Sequence, residues 1–579
     1  MSNPSPRSTG SEDVASAVTP YPPELVESYR ARGLWSERTV ADELRATADA
    51  FPDRDAVVTP DGRLTYRQLD EQADRLACAL MDLGLEAGGS VLLQVGNSVG
   101  TVVTWYGLLK AGLVPVCTLP AHREHEIGPI SRKVRAVAHV VDVRAGGSFD
   151  LVAFAHRARD EHETLRHVLT IGSPTGASTS PGEWRIEDLT EGASPSQARS
   201  AVDARQAHID PDDVAVFQLS GGTTGVPKII PRLHAEYWYN ARAYAEYLGW
   251  DETTRMYCPT PVVHNAGTVC TLHASHAVGG CAVLGSANTD DILRLVEAEQ
   301  ATDIMIAPFM FAAVGRPEFA RATRSLRRVI LSGGKIPEEI FDAIEGNGAW
   351  AGQLFGMGEG FFTVTALNSP RLARLHTIGT PLSPLDEYKV LEPTSEEEVA
   401  PGSIGELVCR GPYTLHGYYG APDVNATAFT SDGFFRTGDL VVVQMHDGRP
   451  YLAIEGRIKD LINRGGEKVS AAEVEALLIE HPGIEEAAVV PMPDARLGER
   501  ACAFVVAVDT PLTMSMVQDH LQSHGLAKFK WPERLEWVER LPRTGVGKFD
   551  KKQMSADIAA QVRQESASSD AGPEKVASA

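Results

Sequence analysis

The chain has 579 residues, 43% of them hydrophobic, too many for one core of the usual size, so at least two domains are expected. Acidic residues outnumber basic ones by 77 to 54, and the net charge of −23 argues against general attraction to nucleic acid or an anionic membrane. An anionic substrate must therefore find local positive charge.

In chain order, residues 1–19 are polar and expected to be disordered; MSNPSPRSTGSEDV has neither the basic start nor the apolar centre of a signal peptide. No apolar run approaches the length of a membrane span. Seven cysteines (Cys78, Cys117, Cys258, Cys270, Cys281, Cys409 and Cys502) are scattered and never spaced as CxxC. They suit reduced thiols in a cytoplasmic protein, with neither a disulfide framework nor a zinc site. Thr65 and Gln68 form a capping box for a helix that carries Leu69, Ala73, Leu76, Ala77 and Leu80 at helical spacing, with Gly84 as its stop. Apolar runs at 91–95, 114–119 and 137–141, with a helical stretch around 102–110, give an α/β signature. Residues 172–201, rich in Ser, Thr, Pro and Gly, read as a surface excursion.

Directly after the apolar run 214–219 comes SGGTTGVPK at 220–228. Its glycines let backbone N–H groups approach an anion, while Ser220, Thr223 and Thr224 add hydroxyl donors and Lys228 adds charge. It is not a P-loop, because the glycine–lysine pair followed by Ser or Thr is absent, and an ordinary strand-to-loop turn is the plain alternative. A second domain is expected near Gly456, where GRIKDLINRGGEKVSAAEVEALL joins a charged glycine-rich turn to a helix capped by Ser470 and Glu473. Val474, Leu477 and Leu478 would pack that helix, and Pro482 ends it. Apolar strands at 487–490 and 503–508 and the basic loop LPRTGVGKFDKK follow. The expected divisions are a core over 20–455, a hinge over 456–460, a small domain over 461–556 and a disordered tail over 557–579.

Five segments occur in a fixed order: SGGTTGVPK, FGMGEG at 355–360, RTGD at 436–439, GRIKD at 456–460 and RTGVGK at 543–548. Together they resemble the acyl-adenylate-forming superfamily from about Tyr29 to Lys552. That resemblance implies an α/β fold, with a large N-terminal region of several subdomains built from parallel and mixed sheets with helices, and a small mobile α+β C-terminal domain. It also implies activation of a carboxylic acid with ATP and Mg²⁺, release of pyrophosphate, and transfer of the acyl group from the AMP anhydride to a thiol.

A carboxylate attacking an α-phosphate sets anion against anion, so such a site must neutralise charge and hold the reactants in line. By the resemblance, the catalytic roles fall to Lys548, which would bridge the acyl carboxylate and the phosphate ester oxygen, to Glu359 and to Lys228. Glu359, with Thr223, would hold Mg²⁺ as hard oxygen donors. Ser220, Gly221, Gly222, Thr223, Thr224 and Gly225 would cradle the phosphates. Gly333, Gly334, Leu354, Phe355 and Gly356 would wall the adenine, Met357 would also meet ATP, and Asp439 would accept the ribose hydroxyls with Arg457 beside it. A solvated lysine at 548 and a turn residue at 439 are the plain alternatives. Rotation about Lys459, or about Asp460, would exchange Lys548 for the loop 463–468, where Gly465 and Gly466 would line a passage for a pantetheine arm.

The words YRARGLW, FQLSGGTTGVPKIIPRLH, the pair His264 and Asn265, QLFGMGEG and INRGGEKVS are similar to the stand-alone ligases that adenylate 2-hydroxy aromatic acids, such as 2,3-dihydroxybenzoate–AMP ligase, for siderophore and peptide-antibiotic synthesis. By that resemblance the aryl acid would meet His264, Asn265, Ala266, Cys270, Gly334, Lys335, Gly358 and Phe362. Asn265 would contact the ortho hydroxyl and carboxylate, its amide both donating and accepting, whereas His264 alone reads first as a satisfied wall residue. Cys270 stands where the dihydroxybenzoate enzymes usually carry serine and salicylate-activating relatives carry cysteine, which favours a mono-hydroxylated ring. Ala266 replaces a usual tyrosine, Phe362 a smaller aliphatic residue, Gly358 a usual alanine, and Lys335 the alanine of a GGA turn. Salicylate is the first expectation; 2,3-dihydroxybenzoate, a substituted salicylate, 3-hydroxypicolinate and a hydroxyquinoline acid stay open. The stretch after Lys552 is too short for a carrier domain, so the acceptor is expected to be a separate carrier protein's phosphopantetheine or CoA. An aryl-CoA ligase of aromatic degradation would share the first half-reaction. A non-catalytic adenylate binder would be expected to lose Lys548, Glu359 or Asp439, and all three are present.

Overall fold

The computed structural model describes residues 17–173, 180–220, 226–334, 336–464, 467–494, 496–544 and 548–570. They form two compact units, the first up to 388 with 409–435 and 445–451, the second over 389–408, 436–444 and from 452 onward. Among the described residues no helix is long and apolar enough to cross a membrane.

The first unit holds two large sheets. One has seven strands in the order Glu183–Arg185, His167–Ile171, Ala138–Asp142, Ser90–Gln94, Val114–Val116, Val214–Leu219 and Ile229–Leu233, parallel except for the final antiparallel pair. Its strands 90–94 and 138–142 are buried at every position, which is why they read as mostly apolar runs; the polar side chains of Gln94 and His139 within them bond to each other at 3.1 Å. The other has nine strands, from Thr380–Pro381 through Phe362–Val364, Trp350–Gly356, Arg328–Ser332, Asp303–Ile306, Arg255–Cys258, Cys281–Leu284 and Asp55–Thr59 to Gly62–Thr65. It is parallel in its centre and antiparallel at both edges. The Thr65–Gln68 capping box forms in both directions and starts the helix Tyr66–Asp82, whose buried face carries the expected leucines and alanines. Candidate residues follow the carboxyl ends of strands at Ser220, Gly333 and Met357, where open α/β sheets bind ligands.

Three expectations need correction. Residues 172–201 are not a plain excursion: they include the strand Glu183–Arg185 and most of the helix Pro195–Gln206, started by a two-way capping box between Ser194 and Gln197 and burying Ala198 and Val202. Ala17 and Val18 pack against the core although 1–19 is expected to be disordered. The helix Lys551–Asp570 continues past 556, because Met554 and Ile558 are fully buried against the strands of the second unit and Val562 packs beside them. The remaining terminal residues lie outside the described set.

In the second unit, Glu467–Ser470, Leu461–Arg464, Gly498–Ala507 and Ile484–Asp494 lie side by side, and Arg534–Trp537 pairs with 498–507. The hairpin strand 484–494 extends past the apolar run 487–490 at both ends, and 498–507 begins before the run 503–508, since polar residues such as Glu485 and Arg500 occupy their less buried positions. Ser470 caps the helix Ala471–Ile479 by accepting the Glu473 N–H, but the Glu473 carboxylate takes Lys530 at 2.8 Å, so only half of the expected capping box exists. A further sheet orders Glu387–Leu391, Gly405–Arg410, Phe435–His446 and Arg449–Arg457.

Candidate functional site

In the first unit, the strand Val214–Leu219 delivers Ser220 to the neck of the glycine loop. Its N–H donates to the Lys228 carbonyl at 2.9 Å, and the Lys228 N–H donates to Ser220 Oγ at 3.0 Å. Gly221, Gly222, Thr223, Thr224 and Gly225 lie outside the described residues. The exposed Lys228 ammonium stands 4.6 Å from the Tyr418 ring centroid, a cation–π distance. Tyr418 in turn donates its hydroxyl to Glu359 Oε1 at 2.7 Å, and the Glu359 carbonyl accepts the Leu415 N–H at 2.8 Å. Burial and the neighbouring Glu359 carboxylate push the Tyr418 phenol well up, so it stays a neutral donor. Tyr418 thus joins two expected site residues, and nothing in PYTLHGYYG singles it out as doing so.

The part that sequence reasoning missed altogether is Arg232. Only 1% exposed, it donates Nε and Nη2 to the two carboxylate oxygens of Glu236, both at 2.8 Å. Nη2 also reaches Asn240 Oδ1 at 3.2 Å, and Nη1 reaches Asn265 Oδ1 at 3.3 Å and the Gly358 carbonyl at 3.1 Å. Burial opposes the Arg232 charge, but Glu236 more than offsets it and holds the guanidinium above its ordinary range. Burial pushes the Glu236 carboxyl up; with two guanidinium N–H groups on it, the charged pair is the state that matches every donor to an acceptor. The pair is visible in sequence as Arg and Glu four apart, but its burial is not.

Asn265, 7% exposed, opens a short helical turn. Its Oδ1 accepts from Arg232 and from the Tyr237 hydroxyl at 3.2 Å, and its Nδ2 donates to the Met357 carbonyl at 3.3 Å. The amide oxygen is therefore already engaged, contrary to the expectation that the side chain both donates and accepts toward a ligand. His264 is exposed, and its Nδ1 accepts the Ala266 N–H at 3.4 Å, capping that turn.

The remaining positions expected to meet the acid lie on or beside the same strands and turn. Cys270 is fully buried in the π-helical segment Thr268–His273, and burial, then Cys258, holds its thiol well above the usual range. Ala266, in the preceding turn Asn265–Gly267, is partly buried against the same core. A side chain at Gly356 would come within 2.7 Å of the buried Phe362 ring, and one at Gly358 within 2.9 Å of Ile230 Cδ1, so both glycines mark close approach. Gly333 has φ 97°, and a Cβ at Gly334 would meet Pro308 at 3.2 Å, while Leu354 is buried and Phe355 half-buried on the strand before Met357. Lys335 lies outside the described residues.

In the second unit, Asp439 is 4% exposed and takes Arg457 Nε at 2.7 Å. Its N–H donates to Thr437 Oγ1 at 3.0 Å, and that hydroxyl donates to the Leu407 carbonyl at 2.8 Å, which fixes the RTGD segment of the strand Phe435–His446, where Gly438 has φ 70°. Lys548 is exposed as a residue, yet loss of hydration at its ammonium and then Arg457 and Lys459 pull its pKa down, with Asp439 opposing. Lys459 and Asp460 form the single turn Ile458–Asp460, and burial followed by Arg457 lowers the Lys459 pKa as well. The structure thus brings Asp439, Arg457, Lys459 and Lys548 into one electrostatic group. Gly465 and Gly466 lie outside the described residues.

A family profile described as AMP-binding enzyme matches residues 44–419, and one described as AMP-binding enzyme C-terminal domain matches 473–548. A 2,3-dihydroxybenzoate-AMP ligase of Bacillus subtilis is 36% identical over 552 residues, 93% of this chain and 97% of that protein. A protein of a Streptomyces species described as a salicylyl-CoA synthase / salicylate adenylyltransferase is 38% identical over 547 residues, 92% of this chain and 96% of that one. The apo structure of Mycobacterium smegmatis MbtA is similar at a TM-score of 0.70 and 34% identity, covering 94% of this chain and 99% of that chain.

Proposed function

The chain belongs to the AMP-binding enzyme family, and on that premise we propose that it adenylates a 2-hydroxy aromatic acid, salicylate first, and passes the aroyl group to the phosphopantetheine thiol of a carrier protein. The observation that carries the acid class is Asn265, nearly buried, held on three sides and left with one amide N–H for a ligand. Relatives named for 2,3-dihydroxybenzoate and for salicylate support the same class, and siderophore or peptide-antibiotic synthesis is the setting we propose for it. The second of these is also named for CoA, which keeps free CoA as the alternative acceptor.

In the first half-reaction the acid's carboxylate oxygen would bond to the α-phosphorus of ATP as the bond to pyrophosphate breaks. Lys228 and the loop after Ser220 would hold the phosphates, Asp439 with Arg457 the ribose, and Lys548 would set its charge on the reacting oxygens. The half-buried Glu359 carboxylate, oriented by Tyr418, offers the hard oxygen that suits Mg²⁺; the ion would supply charge neutralisation at the phosphates when bound. In the second half-reaction the thiol sulfur would bond to the acyl carbon and AMP would leave, after rotation at Lys459 or Asp460 brings the loop with Gly465 and Gly466 into use. ATP–pyrophosphate exchange that responds to aryl acids and not to aliphatic acids supports this reading; exchange driven by aliphatic acids alone would exclude it.

A further inference from the structure

We propose that Arg232 makes Asn265 a donor-only contact, so that the enzyme selects acids presenting a hydrogen-bond acceptor, rather than a donor, beside the carboxylate. The inference rests on the assignment of Asn265 to the acid site. Its ground is the polarity of the groups around the amide. A guanidinium carries only donors, so the Asn265 atom 3.3 Å from Arg232 Nη1 is the oxygen. A carbonyl is only an acceptor, so the atom 3.3 Å from the Met357 oxygen is the nitrogen. The two neighbours fix the amide from opposite ends, and a flip would set like against like at both.

Tyr237 strengthens the lock. Its hydroxyl oxygen accepts from Gln218 Nε2 at 2.9 Å, which directs its own proton to Asn265 Oδ1 at 3.2 Å. Arg232 has no freedom to let go, since acceptors surround it in every N–H direction: Glu236 twice, Asn240, Asn265 and Gly358. What Asn265 has left among the described residues is the second N–H of Nδ2.

That single N–H distinguishes ortho substituents by chemistry. In salicylate the phenolic proton turns inward to the neighbouring carboxylate, leaving oxygen lone pairs facing outward. In anthranilate one amine N–H turns inward and the other faces outward, where it would meet the Asn265 N–H. Benzoate leaves the N–H without a partner. The order of preference is therefore salicylate, then benzoate, then anthranilate, and a donor-rich ortho group is worse than none.

The test measures pyrophosphate exchange with these three acids for the unmodified enzyme, Asn265→Asp and Arg232→Lys. The unmodified enzyme should favour salicylate over anthranilate by roughly tenfold or more in kcat/KM, the scale set by an unmatched buried polar group. Asn265→Asp presents an acceptor and should move that ratio toward anthranilate by at least about tenfold. Arg232→Lys keeps the charge but has three donors instead of five, so it should lower the ratio mainly by raising KM for salicylate, with benzoate little changed. Ratios within one preparation are independent of the folded fraction, so a purely structural loss would leave them where they were. Equal use of salicylate and anthranilate by the unmodified enzyme, or an unchanged ratio in Asn265→Asp, overturns the inference; an unchanged ratio in Arg232→Lys overturns the part given to Arg232. Exchange with aliphatic acids and with none of the three aryl acids overturns the functional reading and this inference together.

Discussion

The two charged groups that matter most hold their charge in opposite ways. In the first unit the Arg232 side chain is 1% exposed and sits among matched acceptors. In the second, the Arg457 side chain is 46% exposed and pairs with Asp439, while burial first and Arg457 second lower the pKa of two neighbours, Lys459 and Lys548. A dry, matched network fixes geometry, because any movement leaves a buried group unpaired. A group in which lysines lose hydration beside another cation favours an added negative charge, since an anion would offset both effects. Choosing among acids needs the first kind, and neutralising charge that develops during reaction needs the second.

The sharpest way to break this contrast is Lys548→Ala. If the Lys548 charge acts on the adenylation step, exchange should fall by about a hundredfold or more. Transfer to a thiol from preformed aryl-adenylate should keep much of its rate. Equal losses in both half-reactions with the fold intact would remove the division of labour.

Stability gives the next largest difference. Arg232→Met leaves the Glu236 carboxylate buried without its partner and should cost about 3–5 kcal/mol, seen as a clear drop in the thermal unfolding midpoint of the first unit. Arg457→Met removes a pair in which one member is nearly half exposed and should cost at most about 1 kcal/mol. Similar losses for the two variants would mean that the networks do not differ as their exposure indicates.

A smaller effect is expected at Cys270. Its thiol lies wholly within the core. Cys270→Ser places a stronger hydrogen-bonding group there, and should shift preference from salicylate toward 2,3-dihydroxybenzoate by less than about tenfold, measured as the ratio of exchange efficiencies. No shift would separate Cys270 from ring recognition and leave it a packing residue.

These contrasts were only partly legible in the chain. The helix from Tyr66 was readable because Thr65 and Gln68 carry their capping chemistry locally. The helix from Pro195 carries an equivalent Ser194–Gln197 box, but proline and serine around it read as a loop. Asn265 could be picked out with its histidine neighbour by family resemblance. Its polarity could not, since it depends on Arg232, 33 positions away, and on Met357, 92 positions away. Arg232 itself reads in IIPRLH as one more basic residue on a strand; only folding shows that Glu236, Asn240 and Gly358 enclose it. Tyr418 was hidden for the same reason, its link to Glu359 spanning 59 positions.

Pyrophosphate exchange by the unmodified enzyme with salicylate and with benzoate tests the proposed function most directly. A buried donor left without a partner costs roughly 1–3 kcal/mol, so salicylate should be favoured by about tenfold to a hundredfold in kcat/KM. Equal turnover of the two acids would contradict the role given to Asn265 and with it the assignment to 2-hydroxyaryl acids.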